Sequence, residues 1–361
     1  MLTSSFDYTL PKESIAKYPP NVRGETNLLI FDTKTLEKKV DKYFNLYKYL
    51  ESQDMVILNE TKVVQARIIA HGEKVGKVEL FIKENHHNFR SIQCIYKGGI
   101  RLGDILIIDN TDIKIRIKNV LDFGNCEIEF LNSSVSSYFD LVELLEKVGH
   151  VPIPPYLKRE DEILDKARYQ TEFSKVAGSV AAPTASLNFT KQLEKNLTEK
   201  EIYVEKITLH CGFGTFKPII TSDLEKHKMH SEYYEIPNEV IGNIKKGISE
   251  KKRICAVGTT VTRSLEQYAI NNNLSGEADI FLYPGIKFNI VNTLLTNFHA
   301  PRSTPLILLN AFVTYKLSIN RGVPIDDALI EEAKGMVKDI YKYSLEKGFK
   351  FLSYGDSCLI L

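Results

Sequence analysis

Several short segments carry side chains able to do chemistry. The stretch Asn297-Phe-His-Ala-Pro-Arg-Ser-Thr304 sets an amide, an imidazole and a guanidinium on one loop, with His299 at its centre. At a sheet edge, such a loop lies where α/β proteins bind ligands. Met229-His-Ser-Glu232 separates His230 and Glu232 by two positions. On a strand they share a face, where a carboxylate can hold an imidazole in one tautomer for proton transfer. The same pair also suits a solvated strand edge. Thr208-Leu-His-Cys-Gly-Phe-Gly-Thr-Phe216 brings His210, Gly212, Gly214 and Thr215 together. Lys217 stands where a dinucleotide fingerprint needs its last glycine, so that motif fails. A strand ending in a flexible glycine loop fits a pocket wall, although a lone histidine is often structural.

Further segments have a ligand reading and a plain one. In Cys255-Ala-Val-Gly-Thr-Thr-Val-Thr-Arg263 an apolar strand runs into Gly258, Thr259, Thr260 and a helix start. Free N–H groups there favour a carboxylate or phosphate, or simply an N-cap. Gly178 to Phe189 is rich in small residues, which let backbone approach an anionic ligand or pack helix closely on strand, and Thr184 and Ser186 can cap a following helix. Arg168, Tyr169 and Gln170 precede it. Asn59 and Thr61 can cap a turn, and Arg67 can be a surface ion pair. Asp356 in Ser353-Tyr-Gly-Asp356 suits a turn.

These residues need elements to position them. Val78, Leu80 and Ile82 alternate with charged neighbours, as do Ile113, Ile115 and Ile117, and Cys126, Ile128 and Phe130. Period two predicts strands with one buried face. Breakers such as Asn85-His-His-Asn88, Lys97-Gly-Gly99 and Asp109-Asn-Thr-Asp112 separate them, predicting a small antiparallel barrel or sandwich. Beyond His150 the pattern changes. Strands are expected at 202–209 and 253–257, a helix after Gly258, and a helix after Leu187. Leu306 to Val313 is apolar all round and predicts a buried helix with Ser303 at its N-cap. Leu329, Ala333, Val337 and Ile340 form a helical stripe ending before Gly348. Residues 349–352 and 358–361 read as late strands. The expected architecture is a mixed α/β body from 1–62 and 150–361, with a small antiparallel β-barrel domain inserted at 63–149.

The chain has 361 residues, with 47 Lys+Arg against 46 Asp+Glu, a net charge of +1. That excludes nonspecific coating of nucleic acid but leaves room for a local basic patch. No apolar run is long enough to span a bilayer, and the opening residues have no secretory pattern. Five scattered cysteines, without CxxC spacing, argue against a structural zinc and for a reducing cytoplasm.

Taken in order, FDYTLPKESIAKYP, NETKVVQARI, GHVPIPPYLKR, RYQTEFSKVAGSVAAPTASLNFT, TLHCGFGTFKPI, HKMHSE, AVGTTVTRSLE, YPG, TNFHAPRST and SYGD span nearly the whole chain. Each is weak alone, but the ordered set closely resembles the S-adenosylmethionine:tRNA ribosyltransferase-isomerases of the queuosine pathway. The resemblance implies an α/β body with a β-barrel. It also implies transfer and isomerisation of the ribosyl part of S-adenosylmethionine onto 7-aminomethyl-7-deazaguanine at the tRNA wobble position. Epoxyqueuosine-tRNA, adenine and methionine are the products. The donor is consumed, no metal is expected, and the partner is tRNA for a cytoplasmic monomer.

That chemistry asks for a base near the sulfonium-activated C5′ protons. The candidates are His210, His230 and His299, with Glu232 as competitor. Candidate substrate contacts are Asn59, Thr61, Arg67, Arg168, Tyr169, Gln170, Thr184, Gly212, Gly214, Thr215, Gly258, Thr259, Thr260, Asn297 and Asp356. Phe213, Phe216 and Tyr169 offer aromatic faces to the sulfonium. Lys158, Arg159, Lys166 and Arg168 offer a tRNA patch. The chain departs from the family pattern at Leu187-Asn-Phe189, where Leu-His-Phe is usual; Asn188 hydrogen-bonds but is no base near neutral pH. Asn27 stands where arginine is common, and Ser186 where glycine is. A non-catalytic tRNA binder and a methyltransferase are the competing readings. The first rests on Asn188. The second lacks a glycine fingerprint after an early strand.

Overall fold

The computed structural model describes residues 1–73, 75–83, 89–212, 214 and 219–361. The chain begins with β1 (Asn27–Phe31), β2 (Lys38–Lys42), β3 (Met55–Asn59) and β4 (Thr61–Val63). Then come β5 (Arg67–Gly72), β6 (Val75–Ile82), β7 (Ile92–Lys97), β8 (Ile105–Ile108), β9 (Lys114–Leu121) and β10 (Asn125–Phe130). The next elements are α1 (Tyr138–Val148), α2 (Ile163–Arg168), β11 (Val176–Ser179), α3 (Lys191–Glu199), β12 (Tyr203–Leu209), β13 (Glu232–Glu235) and α4 (Asn238–Ser249). The last are β14 (Ile254–Val257), α5 (Thr259–Asn271), β15 (Ser275–Ala278), β16 (Thr293–Asn297), α6 (Thr304–Arg321), α7 (Asp327–Glu346) and β17 (Ser357–Ile360).

The alternating segments close into the expected antiparallel barrel, in the order β10-β7-β6-β5-β8-β9. Val78, Leu80, Ile92, Cys94, Leu106, Ile115, Ile117, Cys126 and Ile128 fill its core, and Leu141 and Leu145 of α1 pack against it. The Asn85-His-His-Asn88 breaker lies outside the described residues.

The body is a nine-stranded mixed sheet, ordered β15-β13-β12-β3-β14-β16-β17-β1-β2. Its centre, β12-β3-β14-β16, is parallel. Of these, β3, β14 and β16 are buried along their whole length and read as largely apolar runs rather than alternations, whereas β12 is buried only over Ile207–Leu209. Helix α6 lies in the main core with Leu306, Leu308, Leu309, Phe312 and Val313 buried, which explains its lack of a polar face.

Three local expectations are corrected. Residues 349–352 make no strand; Phe351 forms only an isolated bridge to Ile15. The helix after Leu187 starts at Lys191, and its cap is Thr190, whose side chain accepts from the Leu193 N–H, while Thr184–Ser186 is a single 3-10 turn. Ser303 holds the N-cap position of α6, but its hydroxyl donates to the Ala300 carbonyl instead.

Candidate functional site

The central strands run parallel, so their carboxyl ends share one edge, where open α/β sheets bind ligands. Two cavities meet there. The narrower encloses about 170 Å³ and is lined by Ala181–Ala185, Cys211, Gly258–Thr260, Thr296–Pro301 and Ser353, among others. The wider encloses about 530 Å³ between Met229, His230, Phe281 and Leu282 on one side and Thr259, Thr260 and Arg263 on the other. Thr259, Thr260 and Pro305 line both. The shared wall is therefore the first turn of α5. Gly258 makes that turn at φ 98°, where a side chain would be strained.

In the narrower cavity Thr184 donates to the Asn297 side-chain oxygen at 2.8 Å, joining two predicted contact residues. His299 Nε2 lies 2.8 Å from Thr296 Oγ1, and its backbone N–H donates to the Tyr341 hydroxyl. Burial pushes the His299 imidazole down to about 3, so it is neutral at pH 7. Leu352, on the same wall, has a φ of 70°, the kind of backbone strain that clusters at functional sites.

Glu232 opens β13, so His230 precedes the strand rather than sharing its face as expected. The buried Glu232 carboxylate pairs with Arg263 Nη1 and accepts the Gly212 N–H at 2.8 Å. Arg263 also donates to the carbonyls of His230, Ala278 and Ile280. His230 is exposed at the mouth of the wider cavity, beside Gly214. His210 lines neither cavity. Its Nδ1 sits 2.8 Å from Thr61 Oγ1, and its ring lies so close to Gly178 that a Cβ there would be 2.6 Å away. Burial lowers its pKa too. Thr215, Phe213 and Phe216 lie outside the described residues.

Other predicted contacts sit in the framework. Asn59 clips β3 to β12: its amide donates to the Leu209 carbonyl and its oxygen accepts the Leu209 and Thr61 N–H groups. Gln170 makes paired bonds to the Val63 backbone, at 2.8 and 3.0 Å. Tyr169 is fully buried and edge-on to Tyr354. Arg168 donates to the Pro20 carbonyl. Arg67 is enclosed by Glu79, Glu160 and Asp161 between barrel and body. Asp356 accepts the Asn27 and Lys350 N–H groups, and burial raises its pKa. Of the basic patch, Arg159 grips Asp165 through two bonds and Lys166 lies 3.5 Å from Glu146, while Lys158 is exposed. Residues the sequence reading missed are Arg263, Thr296 and Phe281. Arg263 stood in a quoted motif, but nothing local told that it pairs with Glu232.

A histidine-bearing cleft at the carboxyl ends of parallel strands, in a chain that also carries a closed barrel, is the ligand-site arrangement of the α/β class. A family model described as "Queuosine biosynthesis protein" matches residues 3–321. A relative named S-adenosylmethionine:tRNA ribosyltransferase-isomerase from Chlorobaculum parvum is 40% identical over 367 residues, covering 100% of both chains. One of the same name from Aliarcobacter butzleri is 38% identical, covering 99% of this chain and 98% of its own. The crystal structure of S-adenosylmethionine tRNA ribosyltransferase from Thermotoga maritima superposes with a TM-score of 0.54 at 26% identity, covering 99% of this chain and 100% of that one. The chain belongs to the S-adenosylmethionine:tRNA ribosyltransferase-isomerase family of queuosine biosynthesis, and is a transferase.

Proposed function

We propose that this enzyme transfers and isomerises the ribosyl moiety of S-adenosylmethionine onto 7-aminomethyl-7-deazaguanine at the tRNA wobble position. Epoxyqueuosine-tRNA forms, and adenine and methionine leave. The observation that carries this reading is the full-length likeness to relatives bearing the ribosyltransferase-isomerase name. The donor is a consumed substrate, and the reading calls for no metal. It takes the enzyme as a cytoplasmic monomer; among the described residues no helix is long and apolar enough to cross a membrane.

The first turn of α5, at Gly258–Thr260, offers N–H groups and the positive end of its dipole to the methionine carboxylate. Asn297 and Thr184 offer polar atoms in the same cavity. The base must take a C5′ proton made acidic by the sulfonium. His299, at about 3, is a weak acceptor and a good neutral hydrogen-bond partner. His210 lines neither cavity, its ring packed against Gly178, and Glu232 is occupied by Arg263. His230 therefore takes the role of base, at the cavity mouth next to the shared wall. Its loss should cost ~10²–10⁴-fold in rate.

The test mixes purified protein, S-adenosylmethionine and tRNA carrying the aminomethyl-deazaguanine, with products read by mass spectrometry. Adenine, methionine and epoxyqueuosine together are expected. Tight tRNA binding without adenine, with a relative active in parallel, would mark a binding protein. S-adenosylhomocysteine would mark a methyltransferase. His230→Gln should lower kcat at least a hundredfold, with KM for the donor changed only a few-fold. If His299→Gln lowers kcat that far and His230→Gln does not, the base is His299.

A further inference from the structure

The two cavities differ in charge as well as size. Among the described residues, the narrower has no Lys, Arg, Asp or Glu in its lining. The wider has Ile280, Leu282 and Leu308 as apolar lining and the paired Glu232 and Arg263, and carries Lys226, His227, Lys228 and His230 with the exposed Ile220. Lys226 and Lys228 are exposed. Phe281 stands in its wall, with the His227 ring edge-on at 5.1 Å and the Tyr283 ring at 5.5 Å.

Resting on the reaction proposed above, we infer that the wider cavity is the receiving chamber for the flipped-out base of the RNA strand, and the narrower one holds the sulfonium donor. A base that undergoes chemistry must leave its stack and enter a pocket. Single-stranded RNA is gripped by aromatic faces for its bases and by cations for its phosphates. The wider cavity offers both: Phe281 within, Lys226 and Lys228 at the rim. A cationic donor gains nothing from that rim and suits the uncharged cavity. Both chambers open on Thr259, Thr260 and Pro305, so the donor's ribosyl carbon and the base's aminomethyl nitrogen meet across one turn of helix. His230 is then on the RNA side of the reacting atoms.

The experiment compares Lys226→Ala/Lys228→Ala, Phe281→Ala and the milder Phe281→Leu with the native enzyme. Binding of an anticodon stem-loop carrying the modified base is measured by anisotropy across a salt series, donor binding is measured separately by calorimetry, and a melting curve checks each fold. The double lysine variant should weaken RNA binding and reduce the slope of log K against log salt by about 1.4, at ~0.7 per single-strand phosphate contact. Phe281→Ala should weaken RNA binding roughly tenfold, as loss of one stacking partner does. Donor affinity should stay within twofold throughout. Donor affinity falling while RNA binding and its salt slope hold would overturn the inference and put the donor in the wider chamber. Neither changing in folded Lys226→Ala/Lys228→Ala and Phe281→Leu proteins would also overturn it. Because binding is read without turnover, a native enzyme that binds both substrates yet releases no adenine would defeat the proposed reaction and leave the chamber assignment judged separately.

Discussion

His299 and Asn188 show how a side chain's surroundings decide its use. His299 has a folded pKa of about 3 against an ordinary 6.5, because burial disfavours the imidazolium. Below pH 6.5 the unfolded chain therefore binds a proton that the folded chain refuses. Stability should fall as pH drops from about 6.5 towards 3, by at most ~1.4 kcal/mol per pH unit from this one group. Chemical denaturation at a series of pH values checks this. His299→Gln should flatten that slope, and an unchanged slope would assign the acid sensitivity elsewhere. Asn188, which stands at the usual histidine, is buried and accepts the Gly24 N–H at 3.3 Å. An amide does that as well as an imidazole, so the substitution is compatible with a working enzyme. Asn27 makes a similar compromise: its amide donates to Asp356 and accepts from Lys42, supplying a relayed positive charge where relatives commonly carry an arginine.

At the scale of elements, α5 is unusual in burying charge. Arg263 joins it to β13 through Glu232 and to the end of β15 through the Ala278 carbonyl. One turn on, Glu266 accepts the N–H groups of Asn289, Ile290 and Val291, and burial raises its pKa. These bonds fix the helix whose first turn is the wall between the cavities. Arg263→Met leaves Glu232 buried without its cation and should cost ~3–5 kcal/mol. Adding Glu232→Gln should recover part of that loss, as urea unfolding of single and double variants would read. Equal losses in both would mean that packing, not charge, governs the site. The sequence displayed much of this level. Period-two alternation located the barrel strands, and the all-apolar stretch located α6. It did not display where β13 begins, because two polar residues at strand spacing look alike inside and outside a strand. Nor did it show that 349–352 lacks a pairing strand, since a short apolar run has no period of its own.

For the whole molecule, we propose that the barrel, 63–149, is a separate domain inserted into a body formed by 1–62 and 150–361. Arg67 ties the two. It lies on β5 and reaches Glu79 on the neighbouring β6, while Glu160 and Asp161 belong to the body just before α2. Asp161 also accepts from His150 Nδ1 and the Val151 N–H. Arg67→Leu strands these carboxylates, two of them mostly buried, and should cost ~2–4 kcal/mol. Faster proteolysis near residues 150–162 is expected, with donor affinity unchanged. Lost donor affinity at undiminished stability would instead return Arg67 to the binding site.

What the sequence determined by itself was whatever depends on near neighbours: strand and helix periods, glycine turns, helix starts and the ordered motifs that mark the family. Those signals span a few residues and survive in one dimension. Which polar residues face a ligand was decided only in three dimensions. Asn59 meets Leu209, Arg67 meets Glu160, Asn27 meets Asp356 and Thr184 meets Asn297, all about a hundred or more positions apart. A buried polar group must find a partner, and the partner that the fold supplies determines whether it braces the framework or stays available to a substrate. For Asn59, Gln170, Arg67 and Asp356 the partner was backbone or an opposite charge. Thr259 and Thr260 line both cavities.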